Sequence, residues 1–223
     1  MQKSPETDRS PARTPAAGAL PPAPPGFGHV NRYWDPTRGC MAAKILPGEY
    51  YVTGADEVVV TVLGSCVAAC IRDARTGVGG MNHFMLPLNE GGDDNWSGTS
   101  LSTATRYGNV AMEYLINEVL KHGSERRRLE VKVFGGGRIL REMTDIGRRN
   151  IEFVLDYVET EGLRLIARDL GGDCPRKVVY HPGSGRVQVK KLQSLRNETV
   201  LEREAAYMDE LVTQPVEGSV DLF

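Results

Sequence analysis

Within residues 58–87, VVVTVLGSCVAACIRDARTGVGGMNHFMLP, two side chains have the right types to do chemistry together: the Cys66 thiol and the His83 imidazole. A free thiol titrates near pKa ~8.5, and a neighbouring imidazolium lowers that value by several units. The resulting thiolate attacks acyl carbons, and the histidine can protonate the leaving group. A plainer reading uses the same residues. A buried cysteine often serves as a small apolar packing residue, and a strand histidine is often satisfied by a backbone carbonyl.

Which reading holds depends on the elements that carry the two residues. Residues 58–63 are β-branched and apolar, and 67–71 resume after Gly64-Ser65, so both predict strands. Residues 78–86 form the returning run, and Asp73-Ala74-Arg75-Thr76-Gly77 supplies the turn. A two-residue loop would set Cys66 directly opposite His83, with Cβ atoms roughly 4.5–5.5 Å apart. A four-residue loop makes the pair diagonal but keeps it on one face. A three-residue loop without a bulge sends the two side chains to opposite faces.

The rest of the chain restricts the function classes. Its 223 residues suit one domain plus tails, and a net charge of −2 gives no basic footprint for nucleic acid. No run approaches the ~20 apolar residues of a membrane span, and the first residues lack the apolar centre of a secretory signal. The cysteines at 40, 66, 70 and 174 do not form a dense disulfide framework, so a cytoplasmic protein is expected. Residues 1–28, rich in Pro and Ala, read as a disordered tail. Residues 32–41 are expected to pack back onto the domain through Tyr33 and Trp34.

Between the tails, strands alternate with two main helices. Residues 102–122 form a helix with a stripe of Ala104, Ala111, Leu115 and Val119, stopping at Gly123. A second helix at 147–161 buries Ile151, Val154, Leu155 and Val158. Strands are expected at 129–134 and 163–167, with a hairpin joining 178–181 to 186–190. In the extension, 193–223, a short helix over 195–211 places Leu201, Ala205, Met208 and Leu211 on one stripe, followed by a mobile tail. Gly135-Gly136-Gly137 reads as a turn near a cleft, since it lacks the ending of a phosphate loop. Cys70 reads as core, His181 has no evident acidic or thiol partner, and Arg126-Arg127-Arg128 reads as a solvated loop. Cys66, Cys70 and His83 are poorly spaced for zinc, so no metal is expected.

Several segments carry a resemblance to one family. The runs LGSCVAAC and GGMNHFMLP, KILPGEYYVT at 44–53, RYGNVAMEYLI at 106–116, VFGGGRIL at 133–140, IGRRN at 146–150 and DLGGDCPRKVVYHPGSGRV at 169–187 resemble the chemoreceptor glutamine deamidases of bacterial chemotaxis, the CheD family. The similarity covers roughly residues 30–192 in family order, so residues 29–192 are taken as the deamidase domain. The resemblance implies an α/β fold of layered mixed β-sheets flanked by helices, like the catalytic domain of cytotoxic necrotising factor toxins. It implies a protein-glutamine glutaminase that converts glutamines of methyl-accepting chemotaxis receptors to glutamate and ammonia through a Cys thioester.

Carried over by position, Cys66 is the nucleophile and His83 the general base and acid. The family uses a threonine to orient the histidine, often six residues before the cysteine. Val60 stands there in this chain, and Thr61 follows it. Either Thr61 serves after a small shift or bulge, or a backbone carbonyl holds the histidine. Backbone N–H groups near Gly64, Ser65 and Cys66 are the expected oxyanion donors. No cofactor is implied. The partners are the receptors and, in some systems, a CheC-type CheY phosphatase. A loop containing Trp96 is expected to contact the receptor helix. A non-catalytic binding module and a metal-binding structural protein are the competing classes.

Overall fold

The computed structural model describes residues 20–87, 99–139, 146–192 and 198–213. Most of the Pro/Ala-rich tail, the Trp96 loop and residues 214–223 lie outside them. In chain order the elements are β1 (Asn31–Asp35), β2 (Cys40–Lys44), β3 (Tyr50–Thr53), β4 (Glu57–Leu63), β5 (Val67–Asp73), β6 (Gly79–Asn82) and α1 (Thr99–Lys121). Then come β7 (Leu129–Gly135), α2 (Ile146–Thr160), β8 (Arg164–Leu170), β9 (Arg176–His181), β10 (Arg186–Lys191) and α3 (Glu198–Thr213).

The strands form two five-stranded sheets, ordered β1-β2-β4-β9-β10 and β3-β6-β5-β7-β8. Each is mixed: β2 runs parallel to β4 in the first, and β7 parallel to β8 in the second. The architecture is therefore the expected α/β arrangement of mixed sheets and helices. The helices α1 and α2 lie on the second sheet, touching β3, β5 and β6, and β5, β7 and β8, respectively. This explains why the central strand β5 is a nearly continuous apolar run, buried at every position except Arg72. The main core joins Ala43, Val59 and Leu63 of the first sheet to Val67, Ala69 and Ile71 of the second, and to Leu115 and Val154 of the helices.

Alternation along β4 separates two environments. Val59, Thr61 and Leu63 share one face, while Val58 and Val60 join Cys40, Ala42 and Val179 in a smaller cluster on the outer face. Tyr33 covers that cluster, as expected for β1, while Trp34 is half-buried. At the N-terminal end, Phe27 is buried against Tyr50 and Tyr51.

The β5–β6 hairpin takes the four-residue loop. Asp73 N donates to Val78 O at 2.9 Å, and the paired residues are Cys70 with Met81 and Arg72 with Gly79. The run expected over 78–86 is not one strand. It ends at Asn82, and Phe84 makes an isolated bridge to Val67. His83 lies between, where its backbone turns to the segment before β3: His83 N donates to Glu49 O and Gly48 N to His83 O.

Three further expectations change. In α3, Ala205 is exposed, and the buried face is Val200, Glu204, Tyr207 and Met208. His181 does have an acidic partner, with Nε2 2.9 Å from Asp56 Oδ1. The triple arginine is not simply solvated, since Arg128 pairs with the fully buried Asp73 at 2.8 Å.

Candidate active site

The turn Gly64-Ser65-Cys66 carries the chain from β4 of the first sheet to β5 of the second. Its three carbonyls are all held from one side. Gly137 N donates to Gly64 O at 2.7 Å, Asn150 Nδ2 to Ser65 O at 2.9 Å, and Gly136 N to Cys66 O at 2.8 Å. The triple-glycine loop is thus the floor of this turn. Gly135 cannot be replaced cheaply, because its φ is 114° and a Cβ there would lie 2.2 Å from Cys66 O.

With the carbonyls committed, the three N–H groups point together to the other side, forming a concave anion site. A carboxylate occupies it. Glu204 of α3 accepts from Gly64 N and Ser65 N at 2.8 Å, from Cys66 N at 3.3 Å and from Ser65 Oγ at 2.6 Å. A Cβ on Gly64 would lie 2.8 Å from Glu204 Oε2, so only glycine permits this approach.

His83 is fixed at three points. Its backbone is tied to the Gly48-Glu49 segment, and neighbouring Asn82 joins Ala69 N to Ala111 O through its amide. Its ring Nδ1 lies 2.7 Å from Thr61 Oγ1, which donates its own proton to Ile45 O at 2.9 Å. With the hydroxyl proton so used, Thr61 accepts from Nδ1–H, and this network assigns the lone pair to Nε2. That Nε2 is buried and has no hydrogen-bond partner. β4 pairs with β9 without a register break, so Thr61 reaches the ring with no bulge, while Val60 points to the outer cluster. The carbonyl acts through the threonine rather than directly on the imidazole.

Cys66, His83 and Glu204 are 0%, 2% and 1% exposed, and one donor atom from each lies within 4.8 Å of the other two. Burial pushes the Cys66 thiol well above its ordinary range, and the Glu204 charge pushes it further. Burial also lowers the imidazole to about 3. Both groups are neutral at neutral pH in this arrangement. The three residue types could suggest a zinc site. However, each carboxylate oxygen of Glu204 already accepts two hydrogen bonds, which fills the roughly four lone-pair positions a carboxylate offers.

All five residues singled out from the sequence, Thr61, Gly64, Ser65, Cys66 and His83, meet in this one place. Two others were missed. Asn150, which the hydrophobic pattern passes over, joins Ser65 O to Leu86 N and so braces the two segments that flank the pair. Glu204 shows in the sequence only as a charge three residues before Tyr207 and four after Val200, on what proves to be the buried face.

The fold and site define a class: a two-sheet α/β protein with a free thiol on an N–H-lined turn and a tautomer-fixed histidine beside it. Comparison with known proteins narrows it. A family model described as CheD chemotactic sensory transduction matches residues 85–191. A probable chemoreceptor glutamine deamidase CheD of Halorhodospira halophila is 63% identical over 204 residues, covering 92% of this chain and 94% of the relative. Proteins of the same description from Hahella chejuensis and Hydrogenovibrio crunogenus are 53% and 52% identical, covering 89% and 85% of this chain and 93% and 97% of their own lengths. The chain belongs to the CheD family.

Proposed function

We propose that this protein is a protein-glutamine glutaminase acting in chemotaxis, converting glutamine side chains of methyl-accepting receptors to glutamate with release of ammonia. One observation carries the reading best. The turn bearing Cys66 directs three backbone N–H groups at a γ-carboxylate, the group that deamidation produces.

The residues then take these roles. His83 Nε2 accepts the Cys66 proton, and the thiolate attacks the carboxamide carbon. The oxyanion forms against the N–H groups of Gly64, Ser65 and Cys66. His83 returns the proton to the departing ammonia, leaving a γ-glutamyl thioester, and then activates the water that hydrolyses it. Thr61 keeps the proton on Nδ1 so that Nε2 can serve in both steps. No step requires a metal or an organic cofactor.

The same reading assigns residues 29–192 to the deamidase domain, 1–28 to a disordered tail and 193–223 to an extension. Among the described residues no helix is long and apolar enough to cross a membrane, and the proposed location is cytoplasmic. A CheC-type phosphatase is a further partner on this reading. The test is mass spectrometry of a cognate receptor's cytoplasmic fragment. Conversion of glutamine to glutamate by the native chain, absent with Cys66→Ala, supports the assignment. Equal conversion by the folded mutant refutes it.

A further inference from the structure

The group in the oxyanion site belongs to the chain itself. Glu204 sits at the centre of the buried face of α3, with Val200 four residues before it and Tyr207 and Met208 three and four after. These flanking residues seat the helix. The Tyr207 ring lies on Gly48, where a Cβ would meet it at 3.0 Å, and its hydroxyl bonds that of Tyr107 from α1. Val200 and Glu204 close a narrow cavity over Thr61 and His83. The helix therefore lies over the imidazole and sets its carboxylate within 4.8 Å of the thiol.

Resting on the deamidase reading above, we propose that α3 is a tethered product helix. Glu204 fills the site as the glutamate left by deamidation would, so a substrate helix reaches Cys66 only when α3 leaves. The substrate helix then takes the place of α3, with its glutamine where Glu204 stands. Its anchors follow from the same register: an apolar residue four positions before the glutamine and an aromatic or large apolar residue three to four after it. A carboxylate is an inert occupant, because a thiolate attacking it has no good leaving group. A carboxamide at position 204 is a substrate. Its oxygen takes the N–H groups, the Cys66 sulfur bonds to its carbonyl carbon, and the C–N bond breaks as His83 supplies the proton for ammonia. Water then releases glutamate. The sum is glutamine plus water giving glutamate plus ammonia.

The full-length Glu204→Gln protein tests this directly. Peptide mass spectrometry should show residue 204 converted to glutamate, and the amide retained when Cys66→Ala is added. Full-length Glu204→Ala removes all four hydrogen bonds that hold the carboxylate, and should raise kcat/KM on a receptor fragment about tenfold or more, since even one charge-assisted hydrogen bond lost from the closed state is worth that factor. An amide still present at position 204, in a Glu204→Gln preparation that does deamidate the receptor, overturns the tethered product. So does unchanged or reduced receptor turnover by Glu204→Ala, since a strut that merely supports the turn would behave that way. A native chain inactive on receptor, with the amide of Glu204→Gln also unconverted, overturns the deamidase reading and this inference with it.

Discussion

Among the described residues, two places bring together a cysteine, a histidine and a carboxylate, and they differ in every respect that matters for chemistry. In the inner site, Cys66, His83 and Glu204 are buried beside the β4–β5 turn. On the outer face of the first sheet, Cys40, His181 and Asp56 line an open groove. There Asp56 takes the Nε2 of His181, whereas the Nε2 of His83 is left without a partner. Thr61 holds the opposite ring nitrogen of His83. The inner thiol stands on a turn with three convergent N–H groups, while Cys40 begins an ordinary paired strand. Residue types do not make a site; the fixed tautomer, the free nitrogen and the committed backbone do.

The largest effect should separate the two places outright. Cys66→Ala and His83→Ala should each lower receptor deamidation about 10³-fold or more, while Cys40→Ala and His181→Ala change it less than about twofold. Comparable losses from the outer pair would end the distinction. Next comes the frame. Asn150→Leu leaves Ser65 O and Leu86 N unsatisfied and should cost about 3 kcal/mol in urea unfolding. Gln188→Leu in the outer groove should stay within about 0.5 kcal/mol.

The tautomer anchor gives a smaller signal. Thr61→Val should lower kcat/KM about tenfold, and Thr61→Ser should retain most of it, because only the hydroxyl is at issue. Asp56→Asn, the matching change at His181, should leave turnover alone. A pH effect acts on stability rather than on turnover. Burial holds His83 neutral down to about 3, whereas an unfolded histidine takes up a proton near ~6.5. As pH falls from about 6.5 towards about 3, the unfolded chain binds the extra proton and stability is lost; above that window this group adds no slope. His83→Asn should flatten that part of the acid limb, and an unchanged limb would contradict the burial of the ring.

The legible parts were those written locally. The strands around Gly64 and the turn at 73–77 left three loop lengths open, and the four-residue loop is one of the two that keep Cys66 and His83 on one face. The helix positions in α1 and α2 followed from their apolar stripes. Thr61 was ambiguous only because the two faces of β4 differ by a single step, and which face meets the histidine depends on sheet packing. Glu204 was hidden for a different reason. It lies 138 residues from Cys66, and a stripe chosen by hydrophobicity selects Ala205 beside it. The His181–Asp56 pair was equally invisible, because it needs the antiparallel pairing of β4 with β9.

The hydroxyl that sets the imidazole proton comes from one sheet, while the thiol sits at the start of a strand in the other. The site is therefore a caliper on the gap between the two layers. Loosening their shared core, for instance by enlarging the buried Ala68, on the β5 face that also carries Arg72 towards Gly183 of the first sheet, would part Thr61 from His83 before either sheet came undone. Activity should then vanish several degrees below the melting transition, so that turnover reports layer spacing more sensitively than any measure of folding.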